Sequence, residues 1–247
     1  MLEDFLLFVF ITFLSTIIFY IIGKKFVNKN LRPVEKNLLE MEEFIQNAGH
    51  ELKTPISIIH SNLQLIKAEK KYDKNLIIEN IEELEKFNNL IDGLTELSGI
   101  NLNIKKIKIN LKKEIPEIIA ENIKSIKNKK IKIKYIFKNN IKIIASKEHF
   151  KILFSNLLNN AIKYNKIGGE IKITINKNKL IIKDTGIGVT QINLEKIFDR
   201  FYRENNSQTG DGFGIGLSLV SKICEINKWK ISVNSQKGEG TSFEIKF

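Results

Sequence analysis

The sequence is short of several residue types, and each shortage narrows the field. It has one cysteine, Cys224, in 247 residues. No disulfide can form within the chain, which fits a reducing compartment. Arginine is nearly absent: Arg32, Arg200 and Arg203 are the only three among 40 cationic residues. The net charge of +12 is therefore almost entirely lysine. Those lysines are spread along the chain rather than clustered, so compositional bias explains them better than a nucleic-acid footprint, and no nucleic-acid partner is expected. Proline occurs three times, which makes a proline inside a helical pattern conspicuous.

Long apolar runs are also lacking, with one exception. Residues 5–22, FLLFVFITFLSTIIFYII, carry no charge over eighteen positions. As a helix they span about 27 Å, close to a bilayer core. Glu3 and Asp4 precede the run, and Lys24, Lys25, Lys29 and Arg32 follow it. The basic side stays in the cytoplasm, so a single-pass anchor in the cell membrane with cytoplasmic C-terminal domains is expected. A signal peptide fits less well, because no basic residue precedes the run and no small-residue cleavage site follows. With four residues ahead of the span, no extracellular sensing domain is expected in this chain. Residues 23–37 read as a juxtamembrane linker.

Past Pro33, apolar residues recur at Leu38, Met41, Ile45, Ala48, Leu52, Ile56, Ile59, Leu63 and Ile66. That is a heptad seam with one residue inserted where Pro55 lies. His50 and Thr54 fall off the seam. A polar link, KAEKKYDKN, leads to a second helix over about 76–97, with Ile77, Ile81, Leu84, Phe87, Ile91 and Leu94 on one stripe. Two amphipathic helices cannot close a core alone, so residues 38–98 predict a dimeric four-helix bundle.

Beyond Gly99 the period changes to that of strands. Segments 104–110, 131–137, 141–145, 170–175, 179–184, 230–233 and 241–247 alternate, mostly with Lys at every second position. Helical patterns lie near 112–127, 147–164, 191–199 and 215–227. This order predicts an α/β sandwich over 104–247, with one mixed sheet, a Lys-rich exposed face and helices on the other.

Two glycine-bearing stretches frame that domain: DTGIGV (184–189) after a strand, and GDGFGIGLSLV (210–220) opening a helix. Gly212, Gly214 and Gly216 let the backbone approach a ligand, at a helix start that favours phosphate. Asp184 closes a strand, where it caps or, if buried, accepts from a purine amino group. Asn156 and Asn160 share one helix face at i and i+4. They read either as a solvated polar face or as oxygen ligands for Mg²⁺ shared with nucleotide phosphates.

These stretches, in this order, resemble the motifs of bacterial sensor histidine kinases. HELKTP (50–55) is similar to that family's H box, NLLNNAIKY (156–164) to its N box, DTGIG (184–188) to G1, FDRFYR (198–203) to the F box, and GFGIGL (212–217) to G2. The resemblance runs over residues 38–247 and implies an ATP-dependent kinase. Its parts would be a dimerisation and phosphotransfer hairpin, and an ATP-binding sandwich of the gyrase-type fold.

The resemblance implies roles. His50 would be the phosphoacceptor, Glu51 would orient it or take its proton, and Thr54 would position a water for dephosphorylating the partner, a response regulator receiver domain. Asn156 and Asn160 would hold Mg²⁺. Lys163, Tyr164, Asp184, Gly186, Gly188, Arg200, Gly212, Gly214, Gly216 and Leu217 would surround ATP. Residues 189–213 would form a lid anchored by Phe198 and Phe201. Arg200 and Arg203, in a chain that otherwise uses Lys, suggest a guanidinium fork for phosphate or a domain contact. His60 has no expected role, and His149 is expected to cap or pack. Where relatives often carry Asp, this chain has Ser146. A stimulus would be sensed within the membrane, or through a membrane partner protein, or else the chain lacks an upstream sensor part. An ATP-sensing scaffold without phosphotransfer is the alternative, which no residue favours. Pro55 removes a hydrogen bond to the carbonyl of Glu51 and costs about 3 kcal/mol, so a hinge one turn past His50 is expected.

Overall fold

The computed structural model describes residues 2–69, 73–100, 104–137, 142–176, 178–204 and 213–247. The chain divides into two units, Met1–Lys53 and Thr54–Phe247.

The first unit is helical. Helix α1 (Leu2–Phe26) is exposed along its whole described length, and a π-type turn follows over Val27–Leu31. Length and composition make this helix able to cross a membrane. Helix α2 (Arg32–Glu69) begins here. Its side chains Leu38, Met41 and Ile45 are exposed, and Ala48 is buried.

In the second unit α2 remains α-helical through Pro55, so the expected loosening does not interrupt the helix. Helix α3 (Lys74–Gly99) starts two residues earlier than its apolar stripe suggests. Asp73 sets the start by accepting from the N–H groups of Asn75 and Leu76 at 2.8 and 3.3 Å. One contact between α2 and α3 is polar: Asn62 Nδ2 donates to Glu79 Oε2 at 3.1 Å and to Asn80 Oδ1 at 3.0 Å.

The sandwich follows. Its elements are β1 (Ile107–Asn110), α4 (Leu111–Glu121), α5 (Ile123–Asn128), β2 (Lys132–Phe137), β3 (Lys142–Ala145) and α6 (Lys147–Lys163). Next come β4 (Glu170–Asn176), β5 (Lys179–Asp184), α7 (Gly216–Asn227), β6 (Lys230–Gln236) and β7 (Gly240–Lys246). The main sheet has the order β2-β4-β5-β7-β6, with β2 and β4 parallel and the other pairs antiparallel. On its inner face Ile173 pairs with Ile182, and Ile182 with Phe243. Phe150, Leu153, Phe154, Leu157 and Leu158 of α6 fill the other half of the core. Each such side chain contributes about 1.5–3 kcal/mol when fully buried. Lys172 and Lys183 point to solvent on the opposite face.

Three departures from the sequence expectations have local causes. Strands β1 and β3 pair antiparallel as a separate two-stranded sheet, rather than joining the main one. Each is four residues long and runs straight into a helix cap, Asn110 for α4 and Ser146 for α6. The helix expected over 112–127 is split at Asn122, whose side chain donates back to the carbonyl of Ile118 at 3.1 Å. The helix expected over 191–199 is two short 3₁₀ turns, Gln191–Asn193 and Lys196–Phe198.

Candidate functional site

Helix α6, the end of β5 and the start of α7 meet around a cleft. At its deep end, a pocket of about 120 Å³ is bounded by the carboxylate of Asp184 and by Ile187, Val189, Ile197, Leu217 and Phe243. Asp184 is 5% exposed. Its Oδ1 accepts from the backbone N–H of Gly186 at 2.8 Å and of Thr241 at 3.2 Å. Burial raises its pKa, and those two N–H groups pull it partly back. A buried carboxylate among apolar walls suits a flat heteroaromatic ring that offers an N–H donor.

Gly186 belongs there for lack of space. A Cβ on it would run into the carbonyl oxygen of Tyr164. Gly188 lines the same pocket.

The cleft then widens to about 740 Å³. Asn156, Asn160, Lys163 and Tyr164 of α6 form one wall, and Gly214, Gly216 and Leu217 another. Asn156 Nδ2 donates to the carbonyl of Ile152 at 2.9 Å, which turns its Oδ1 toward Gly216. A Cβ on Gly216 would collide with that oxygen. Lys163 Nζ lies 5.2 Å from the ring centroid of Tyr164, whose hydroxyl pKa is raised by burial and lowered in part by Arg203. Two amide oxygens one turn apart suit a hard cation that keeps waters and shares phosphate oxygens. Among the described residues no cluster of three His, Cys, Asp or Glu side chains offers a fully protein-made site.

Arg203 lines both parts of the cleft, whereas Arg200 is exposed outside their linings. Phe198 packs edge-on against Phe243, with centroids 6.4 Å apart. Tyr202 packs against the core, while Phe201 is held by its backbone, its N–H donating to the carbonyl of Gly214 at 3.0 Å. Gly212 and residues 205–211 of the expected lid lie outside the described residues. Sequence reasoning missed Thr241 and Glu204. Glu204 accepts from the N–H and hydroxyl of Thr190 and from Asn193. Burial raises its pKa, but these bonds outweigh that and lower it.

The far wall of the cleft comes from α3, through Lys86, Asn89, Asp92, Gly93 and Glu96. Gly93 sits against the side chain of Ile215. In the other unit, His50 is exposed on α2 and Glu51 half-buried. Thr54, at the start of the second unit, is exposed. Exposed His60 lies 3.5 Å from Gln64 Nε2, while buried His149 has its N–H capped by Ser146 Oγ at 3.2 Å.

A cleft with a buried carboxylate, on a sandwich that follows a helical hairpin, has the features of a nucleotide-binding site. Residues 40–102 match the His Kinase A (phospho-acceptor) domain. Residues 145–247 match the Histidine kinase-, DNA gyrase B-, and HSP90-like ATPase. The signal transduction histidine-protein kinase ArlS of Staphylococcus aureus is 32% identical over 238 residues, which cover 89% of this chain and 51% of ArlS. The chain thus spans about half the length of the curated relatives it matches. Among solved structures, the Acinetobacter baumannii histidine kinase AdeS aligns with TM-score 0.66 and 23% identity over 80% of this chain and 96% of that one. The histidine kinase ThkA, in complex with response regulator protein TrrA, aligns with TM-score 0.72 and 21% identity over 91% of this chain and 65% of that one. Both structural likenesses concern the fold. The chain belongs to the bacterial sensor histidine kinases.

Proposed function

We propose that the protein is a membrane-anchored, ATP-dependent protein-histidine kinase. It autophosphorylates His50 and passes the phosphoryl group to the receiver domain of a response regulator. The observation that carries this reading is one cleft joining a buried Asp184 to the oriented amide of Asn156, in a chain whose exposed His50 is followed directly by Glu51. Asp184 accepts from the adenine amino group, and the apolar walls hold the ring. Lys163, Tyr164 and Arg203 meet the phosphates, with Arg200 flanking the cleft mouth. Asn156 and Asn160 hold Mg²⁺, which when bound neutralises phosphate charge. An imidazole nitrogen of His50 forms a bond to the γ-phosphorus as the bond to the bridging oxygen breaks. ADP leaves with that electron pair, and the ring loses its N–H proton, with Glu51 as acceptor or orienter. Such transfer is mostly positioning and charge neutralisation.

Thr54 positions water for dephosphorylating the regulator, giving the protein both directions of control. The exposed apolar stripes of α2 and α3 support a homodimer, and α1 supports the membrane anchor, with a sensing partner in the membrane. Incubating the full chain with labelled ATP and Mg²⁺ gives an acid-labile, alkali-stable label. Label retained in His50→Gln, or absent from wild type, overturns the kinase. Unchanged regulator dephosphorylation in Thr54→Ala overturns that residue's role.

A further inference from the structure

Between Asp4 and Glu35 the sequence has no carboxylate, yet Lys24, Lys25, Lys29 and Arg32 fall within nine residues. Three of these lysines share one feature. Tyr20, Ile21, Lys24, Lys25, Asn28 and Lys29 line a single open groove of about 550 Å³. Asn28 and Lys29 follow Lys24 and Lys25 at i+4 and so share their face, and a π-type turn over Val27–Leu31, closed by the Arg32 N–H on the carbonyl of Val27, widens the helix at that end. Lys24 Nζ stands 5.9 Å from the ring centroid of Tyr20.

We infer that this groove is a headgroup site for a phospholipid of net negative charge. The inference rests on the proposed role of α1 as a membrane anchor. The uncharged run ends at Ile22. Tyr20 and Ile21 then sit at the edge of the hydrocarbon, and the three ammonium groups at headgroup level. Three cations and the Asn28 amide supply donors for phosphodiester oxygens, while the ring of Tyr20 covers the glycerol and upper acyl region. A zwitterionic headgroup brings its own cation into the groove and gains less. The adjoining apolar helix selects a lipid over a soluble anion, because it fixes the groove where only lipid phosphate is concentrated.

The full chain is reconstituted in phosphatidylcholine vesicles with and without phosphatidylglycerol. Carbonate-resistant insertion is scored first. Relative association constants are then read with spin-labelled forms of both lipids. Wild type inserts in both vesicles and prefers the anionic lipid. The triple variant Lys24→Gln, Lys25→Gln, Lys29→Gln still inserts but loses roughly fivefold of that preference per lysine. The charge-matched control Lys108→Gln, Lys124→Gln, Lys127→Gln keeps it. Insertion without a lipid preference, or equal losses in the two variants, overturns the headgroup site and leaves the anchor standing. Displacement by inorganic phosphate replaces the lipid by a free anion and also overturns it. Failure of wild type to insert overturns the anchor itself, and the site with it.

Discussion

Asp184 gives the sharpest test of the nucleotide pocket, because two substitutions there separate binding from folding. Oδ1 is occupied by the N–H groups of Gly186 and Thr241. Asp184→Asn keeps an acceptor for both and places an NH₂ where the second carboxylate oxygen faces the pocket. An adenine amino group then meets a donor instead of an anion. Loss of one charge-assisted hydrogen bond costs about 1.5–3 kcal/mol, or roughly 10- to 150-fold in Kd. Asp184→Ala instead leaves two buried N–H groups without an acceptor, at about 1–3 kcal/mol each, so about 2–6 kcal/mol of stability is lost. The raised pKa of wild-type Asp184 adds a pH signature. Its native state holds the proton more tightly than the unfolded chain does. Wild type therefore gains stability as the pH falls from the raised pKa toward the ordinary carboxylate value. The Asn variant has no such proton. Relative to wild type it is most stable near neutrality, and the difference shrinks through that acidic window. Calorimetric titration with a non-hydrolysable ATP analogue and thermal melts across pH measure both effects. Wild-type affinity in Asp184→Asn, or wild-type stability in Asp184→Ala, refutes the reasoning.

Gly216→Ala forces its new methyl into the oxygen of Asn156. Mg²⁺-dependent nucleotide affinity should drop by about tenfold or more with little change in melting temperature, as titrations with and without Mg²⁺ show. Buried His149 has its pKa lowered by burial, which outweighs Glu148, and its Nε2 lacks a partner among the described residues. The neutral ring's contribution is present above the unfolded pKa and is lost as the pH falls toward the lowered one. His149→Leu should flatten that acid limb in thermal melts and stabilise by about 1 kcal/mol. Pro55→Ala gives the carbonyl of Glu51 a donor. Under the proposed function it should shift the ratio of autophosphorylation to regulator dephosphorylation, and an unchanged ratio leaves Pro55 as tolerated strain.

Much of the fold was legible because lysine alternates with isoleucine. Ile171, Ile173 and Ile175 face the core while Lys172 faces water, a period of two that any reading of β4 recovers. The motif residues were legible for a different reason, since the chemistry of phosphate and adenine limits which side chains can serve. What failed was long-range. Residues 191–199 carry a weak helical pattern, but Thr190 and Asn193 are taken by Glu204, and two 3₁₀ turns result. Thr241 supports Asp184 across 57 positions through a backbone N–H that no side-chain pattern encodes. Arg200 and Arg203 look equivalent in FDRFYR, and only the turn between them puts Arg203 into the cleft lining.

The hairpin joins its two surfaces by different means. Within the second unit, Ile56, Leu63, Ile81 and Leu84 remain about half exposed, although they form the apolar stripes. The residues buried between α2 and α3 include Asn62 and Asn80. A net hydrogen bond contributes about 1 kcal/mol, too little to hold two helices against their ordering entropy. The stripes must therefore supply the stability, and under the proposed homodimer they do so against a second copy. The Asn62–Asn80 contact serves a different end. A buried amide accepts only partners at its own level, so it fixes the register of α2 against α3 at some cost in stability. Register and pairing thus reside in separate residues. Apolar residues in place of this pair would strengthen the bundle while freeing one helix to slip past the other, which is the outcome a phosphotransfer hairpin can least tolerate.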